Sequence, residues 1–125
     1  MEEKKNFYQT VNEIFEKDLR YKLDSYEFVM QALNFTQKKL GKEGHITGKE
    51  LLEGIRQFAL EQYGPMAKIV LTHWGIKKTE DFGNIVFNMI ERKLLSKTET
   101  DVLEDFKDVY DFELAFKYIL KDVAI

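Results

Sequence analysis

Apolar side chains recur at three- and four-residue intervals through most of the chain, the period of a helix that buries one face. Phe7, Val11, Ile14, Phe15 and Leu19 share such a face and predict a first helix. Asp24, with Glu27 three residues on, has the spacing of a capping box and is expected to open the second. Its apolar stripe is Phe28, Val29, Ala32, Leu33, Phe35, Thr36 and Leu40. The stripe is wide, which predicts a helix packed on two sides. Gly41 closes it at the left-handed C′ position that glycine adopts without steric penalty.

Thr47 and Glu50 repeat the capping-box spacing ahead of Leu51, Leu52, Ile55, Phe58, Ala59 and Tyr63. Gly64-Pro65 ends that third helix and starts a short fourth, because proline fits a first turn where no N–H is needed. The fourth carries Met66, Ile69, Val70, His73 and Trp74 and is closed by Gly75; Trp74 is expected to be largely buried. Thr79 is expected to cap the fifth helix, where Phe82, Ile85, Val86, Met89, Ile90 and Leu94 hold the 3.6-residue period most closely. Phe112, Ala115, Phe116, Ile119 and Leu120 form a last helical pattern.

The chain between these last two helices reads differently. Residues 95–97 are expected to be extended. In residues 99–111, Phe106, Asp108, Tyr110 and Phe112 alternate as a strand would, while Asp101, Glu104, Asp105 and Asp108 equally fit one helical face. Ile46 is β-branched and stands between a glycine turn and a helix cap, in room for about one strand's worth of residues. These features predict a mainly α fold of about six helices with a small winged-helix-like β-sheet. In it, residues 45–47 would lie beside 109–112, with 95–97 pairing on the other side. No repeat, linker or low-complexity tract divides the chain, and Pro65 is its single proline, so residues 1–125 are expected to form a single helical domain.

The run from Gln31, "QALNFTQKKLGKEGHITGKELLEGIRQFALEQYGPMAKIVLTHWGIKKTEDFGNIVFNMIERKLL", followed by "EDFKDVYDF" ending at Phe112, resembles a small bacterial family of conserved hypothetical proteins with no assigned activity. The likeness covers about two thirds of the chain. It implies a bacterial origin and a stand-alone domain, and it brings no catalytic or binding residues to transfer.

Composition narrows the chemistry. An apolar fraction of 44%, with ten Phe and six Tyr, is enough for a core without covalent staples. The absence of cysteine removes disulfides, thiolate metal sites and cysteine nucleophiles together. Met1-Glu2-Glu3-Lys4-Lys5-Asn6 leads into no apolar signal core and no stretch approaches a membrane span, so the cytoplasm is the expected location. A net charge of −3 supplies no general attraction to nucleic acid or anionic lipid.

Candidate reacting groups are few. Ser25 and Ser96 are the only serines and His45 and His73 the only histidines. Each has a turn or helix-end setting, and the histidines lack metal-ligand spacing. No metal or other cofactor is expected, and no catalytic residue is assigned. Glu99, Asp101, Glu104, Asp105, Asp108, Asp111 and Glu113 have no glycine among them for a calcium-loop turn. Residues 99–113 are therefore expected to be a solvated acidic face or a docking face for a basic protein partner. Gly41, Gly44 and Gly48 match no phosphate-loop spacing.

A winged helix would place residues 81–94 in a DNA groove, with Lys77, Lys78, Arg92 and Lys93 as its phosphate contacts. The same surface carries Glu80, Asp81 and Glu91, which oppose that use. The sequence thus points first to a non-enzymatic protein-interaction or regulatory module. A weak nucleic-acid-binding domain is the alternative.

Overall fold

The computed structural model describes residues 6–96 and 103–117. Its helices are α1 (Phe7–Lys17), α2 (Leu23–Leu40), α3 (Gly48–Tyr63), α4 (Ala67–His73), α5 (Thr79–Glu91) and the single turn α6 (Phe112–Ala115). Tighter 3₁₀ turns lie at Gly64–Met66 and Leu103–Phe106.

Most of these helices start where a side chain satisfies amides that have no partner within the helix. Asn6 accepts from the Gln9 N–H at 2.8 Å while the Gln9 side chain accepts from the Asn6 N–H at 3.0 Å. Thr47 and Glu50 form the expected reciprocal box at 3.1 and 3.0 Å. Two starts differ from the expectation. At α2 the cap position is Lys22, which makes no side-chain cap bond, and Asp24 lies inside the first turn. At α5 Thr79 is already helical; the carboxylate of Asp81 folds back instead and accepts the Lys77 and Lys78 N–H groups at 2.8 and 3.2 Å. Gly41 takes the left-handed conformation expected of it, at φ 66°.

Helix α2 sits at the centre, packed against α3 on one side and against α1 and α5 on the other. The wide stripe on α2 is thereby accounted for. Its closest approach is to α3. A Cβ built on Gly54 would stand 1.7 Å from Thr36 Oγ1, so only a glycine backbone allows this crossing. Tyr26, Phe28, Val29, Leu52, Ile55, Leu71, Phe82 and Ile85 are completely buried or nearly so. Trp74 is buried as expected, with its ring 5.5 Å from Phe28 and 5.9 Å from Tyr63. Leu19, Leu40, Met66 and Ile69 were assigned to buried faces and are instead exposed, Leu19 because α1 ends before it at Lys17.

The chain is mainly α-helical, and the expected small winged-helix-like sheet is absent: no strand occurs among the described residues. No backbone hydrogen bond joins residues 44–47 to 95–96 or to 109–112. Lys97 and the continuation through Ile119 and Leu120 fall outside the described residues. The physical reason is local. Asp108 adopts a left-handed φ of 49°, which breaks the extended run that the Phe106–Phe112 alternation suggested. Backbone groups that would have paired in a ladder find side chains. Val109 N–H donates to Thr79 Oγ1 at 3.2 Å, and the Gly44 carbonyl accepts from Gln37 Nε2 at 3.1 Å. Asp111 accepts the Glu113 and Leu114 N–H groups and starts α6. The strand-like side chains were core contacts of a turn.

Among the described residues, no helix is long and apolar enough to cross a membrane.

Candidate functional site

The four cations proposed as nucleic-acid contacts are not brought together. Lys77 and Lys78 are exposed just before α5, whereas Arg92 and Lys93 follow its other end. Thirteen helical residues at about 1.5 Å each separate the pairs by roughly 20 Å. Arg92 is also paired with Glu13 on α1 at 2.9 Å. The acidic segment is partly committed to the fold. Asp111 caps α6 and Glu113 pairs with Lys68 on α4. Asp108 remains exposed, and residues 99–102 lie outside the described residues. Ser25 Oγ donates to the Lys22 carbonyl at 2.6 Å, a structural bond. His73 and His45 are exposed and far apart in the fold's order, at the end of α4 and in the α2–α3 connection. No three His, Asp or Glu side chains converge to hold a metal ion among the described residues.

The richest polar cluster ties α5 to the α1–α2 connection. Tyr21 Oη donates to Asp81 at 2.6 Å and accepts from Asn84 at 2.9 Å. One turn along, Asn88 Nδ2 donates to both Asp18 (3.0 Å) and Tyr26 Oη (3.1 Å). Arg20 grips the Asp18 carboxylate through Nε at 2.9 Å and Nη2 at 2.7 Å, and this hydrogen bonding is the main reason the Asp18 pKa lies well below the usual carboxylate value. Burial is the main reason the Tyr21 and Tyr26 hydroxyls are pushed above their ordinary value. Both rings are essentially inaccessible, 1% and 0% exposed, so no substrate reaches them. This cluster is an internal brace.

Among the accessible features is a groove of about 450 Å³. One wall is Leu33 and Gln37, at four-residue spacing along α2, with the fully buried Val29 one turn before them beneath the surface. The opposite wall is Val86 and Ile90 of α5, continued by Leu94 and Leu95. The α2–α3 connection closes one end with His45 and Ile46, held in place by the Gln37–Gly44 hydrogen bond. Phe106 forms part of the lining, and its ring and Cβ lie where side chains at Gly48 and Gly83 would otherwise stand. Thus one stretch of the trough between α3 and α5 is filled by the chain's own Phe106, and the adjoining stretch is open. Leu33, Ile90 and Leu94 had all been read as ordinary core positions. Their spacing along α2 and α5 does not distinguish a position facing a groove from one facing a neighbour.

No family model and no solved structure matches this chain. The chain is similar to foldase protein PrsA 2 of Bacillus cereus, at 27% identity over 118 residues. That match takes in 94% of this chain and 36% of the foldase, so the chain spans about a third of that relative's length.

Proposed function

We propose that this chain is a non-enzymatic polypeptide-binding module, acting in the cytoplasm, whose α2–α5 groove holds an apolar segment of a partner protein. The observation that carries this reading is the groove itself: an open, largely aliphatic trough of about 450 Å³, within the range of about 300–1,000 Å³ usual for binding pockets. Glu43, His45 and Ser96 add polar groups to its lining. Its apolar walls and the neighbouring seat of Phe106 suit Leu, Ile or Phe side chains presented by another chain. The similarity to part of a protein named as a foldase supports a role on polypeptides. The nucleic-acid alternative loses ground because its four cations stand at opposite ends of α5 and one is already paired.

The test is a fluorescence-anisotropy titration with labelled peptides that vary in aliphatic and aromatic content. Peptides carrying two or three large apolar residues should bind. Leu33→Gln or Ile90→Gln should weaken them at least about tenfold, as expected for a buried anchor contact. Equal binding by parent and both variants would place the interaction elsewhere and defeat the proposal.

A further inference from the structure

A second, smaller cleft lies between α1 and the start of α2 and shares no lining residue with the groove. It measures about 180 Å³. At about 30 Å³ per water it holds roughly six waters, or one extended long side chain. The walls are Phe7, Tyr8, Val11 and Leu23, and two carboxylates, Asp24 and Glu27, stand at its rim. Tyr8 is 63% exposed and Leu23 40%, so both offer apolar surface to solvent at the cleft. Tyr8 Oη donates to Glu27 at 3.4 Å, so ring and carboxylate face the same space.

The charges are unbalanced. Asp24 makes no hydrogen bond or ion pair among the described residues, and it does not cap α2 as its sequence position suggested. Among the described residues, the contact Glu27 makes is the long one from Tyr8. Lys22 precedes the cleft in sequence but does not line it.

We propose that this cleft binds a cationic side chain, Lys or Arg, from a partner polypeptide. A long basic residue is amphipathic in the way the cleft is: an aliphatic stem that packs on apolar walls and a charged head that stays near water. The stem would lie on Val11, Leu23 and the Tyr8 ring, and the head would meet Asp24 and Glu27. Aromatic faces favour the same cation. A neutral apolar residue would fit the walls and leave both carboxylates unanswered, and an anion would be repelled by them. The proposal is independent of the apolar groove: either site can fail while the other stands.

The test uses the full chain and three capped tripeptides: acetyl-Gly-Lys-Gly-amide, the arginine counterpart, and the norleucine counterpart, which keeps the stem without the charge. Amide and side-chain NMR shifts are followed during titration at low salt. The cationic peptides should shift the signals of Phe7, Tyr8, Leu23, Asp24 and Glu27 together, with norleucine weaker by about tenfold. Asp24→Asn combined with Glu27→Gln should reduce the cationic affinity to that of norleucine. Both positions are exposed, so the double variant should keep the fold, and unchanged signals from the Trp74 cluster would verify this. Equal binding of lysine and norleucine peptides would overturn the proposal, as would shifts lying elsewhere on the chain.

Discussion

Replacing Gly54 by alanine is the sharpest test of how α2 and α3 meet. In an isolated helix this change stabilises by up to about 1 kcal/mol, since glycine is the poorer helix former. Here the new Cβ would lie 1.7 Å from Thr36 Oγ1, 2.8 Å from its Cβ and 2.9 Å from its Cγ2. Rotating the threonine moves the hydroxyl and methyl but not its Cβ, and it also breaks the 2.7 Å hydrogen bond from Oγ1 to the Ala32 carbonyl. Restoring an ordinary separation of about 3.5 Å from a 1.7 Å contact requires a movement of about 1.8 Å at a fully packed crossing. Overpacking of this kind costs about 1–3 kcal/mol, and a contact this short belongs at the upper end. Subtracting the propensity gain leaves a net loss of about 2 kcal/mol, or roughly 8 °C in Tm for a chain of this size. Urea denaturation should show a lower midpoint with an unchanged slope. Thr36→Ala in the same chain removes the two atoms that can move and leaves a 2.8 Å Cβ contact to relieve, so it should recover more than about 1 kcal/mol relative to additivity. A Gly54→Ala protein as stable as its parent, or a double variant that simply sums the two losses, would refute the steric account.

Two predictions concern pH. Tyr21, Tyr26 and Tyr110 all have hydroxyls pushed above their ordinary value of 10.0, mainly by burial. The folded state therefore holds protons that the unfolded chain releases, so this stability is complete below about pH 10 and is lost as pH rises beyond it. Tyrosinate absorbance should appear together with loss of helical circular dichroism, and ionisation of all six tyrosines within an intact fold would contradict the burial. Asp18 is displaced the other way, from 3.8 downward, chiefly by the Arg20 hydrogen bonds. Its contribution is present above about pH 4 and lost as pH falls below that, so Asp18→Asn should flatten the acid limb of the stability curve. An acid limb unchanged in thermal melts of the variant would show that the Arg20 grip contributes nothing.

Much of the helical layout was legible because periodicity and caps report local physics. The Thr47–Glu50 box, the Gly41 stop and the α5 stripe depend only on residues within a turn or two of one another. The failures have both local and distant causes. The alternation from Phe106 to Phe112 looked like a strand because a strand and an irregular turn can both bury the rings at its two ends. What separates them is that Thr79, thirty residues away, accepts the Val109 N–H. Asp81 accepts the Lys77 and Lys78 N–H groups from the third helical position, the N3 half of a capping box whose cap residue is a lysine rather than the expected threonine. The groove was hidden for a related reason: an apolar residue facing a trough has the same spacing as one facing a neighbour. Lys77, Lys78, Arg92 and Lys93 formed a set only under the winged-helix geometry, and without the sheet nothing gathers them.

The brace between α5 and the α1–α2 connection also has a kinetic side. Its bonds link residues 60 apart at Tyr21–Asp81 and 70 apart at Asp18–Asn88, and the Glu13–Arg92 pair spans 79. Closing a flexible loop of about 60 residues costs roughly 3.6 kcal/mol of chain entropy beyond a constant, on the logarithmic law for loop closure. The α2–α3 pair, joined by a short connection, faces about half that cost. The order of assembly that follows has α2 and α3 together first, with α5 returning to clasp α1 after the main barrier is crossed. Weakening the brace with Asn88→Ala should then quicken unfolding and leave the refolding arm of a chevron nearly where it was. A slowed refolding arm would instead place the clasp inside the folding nucleus.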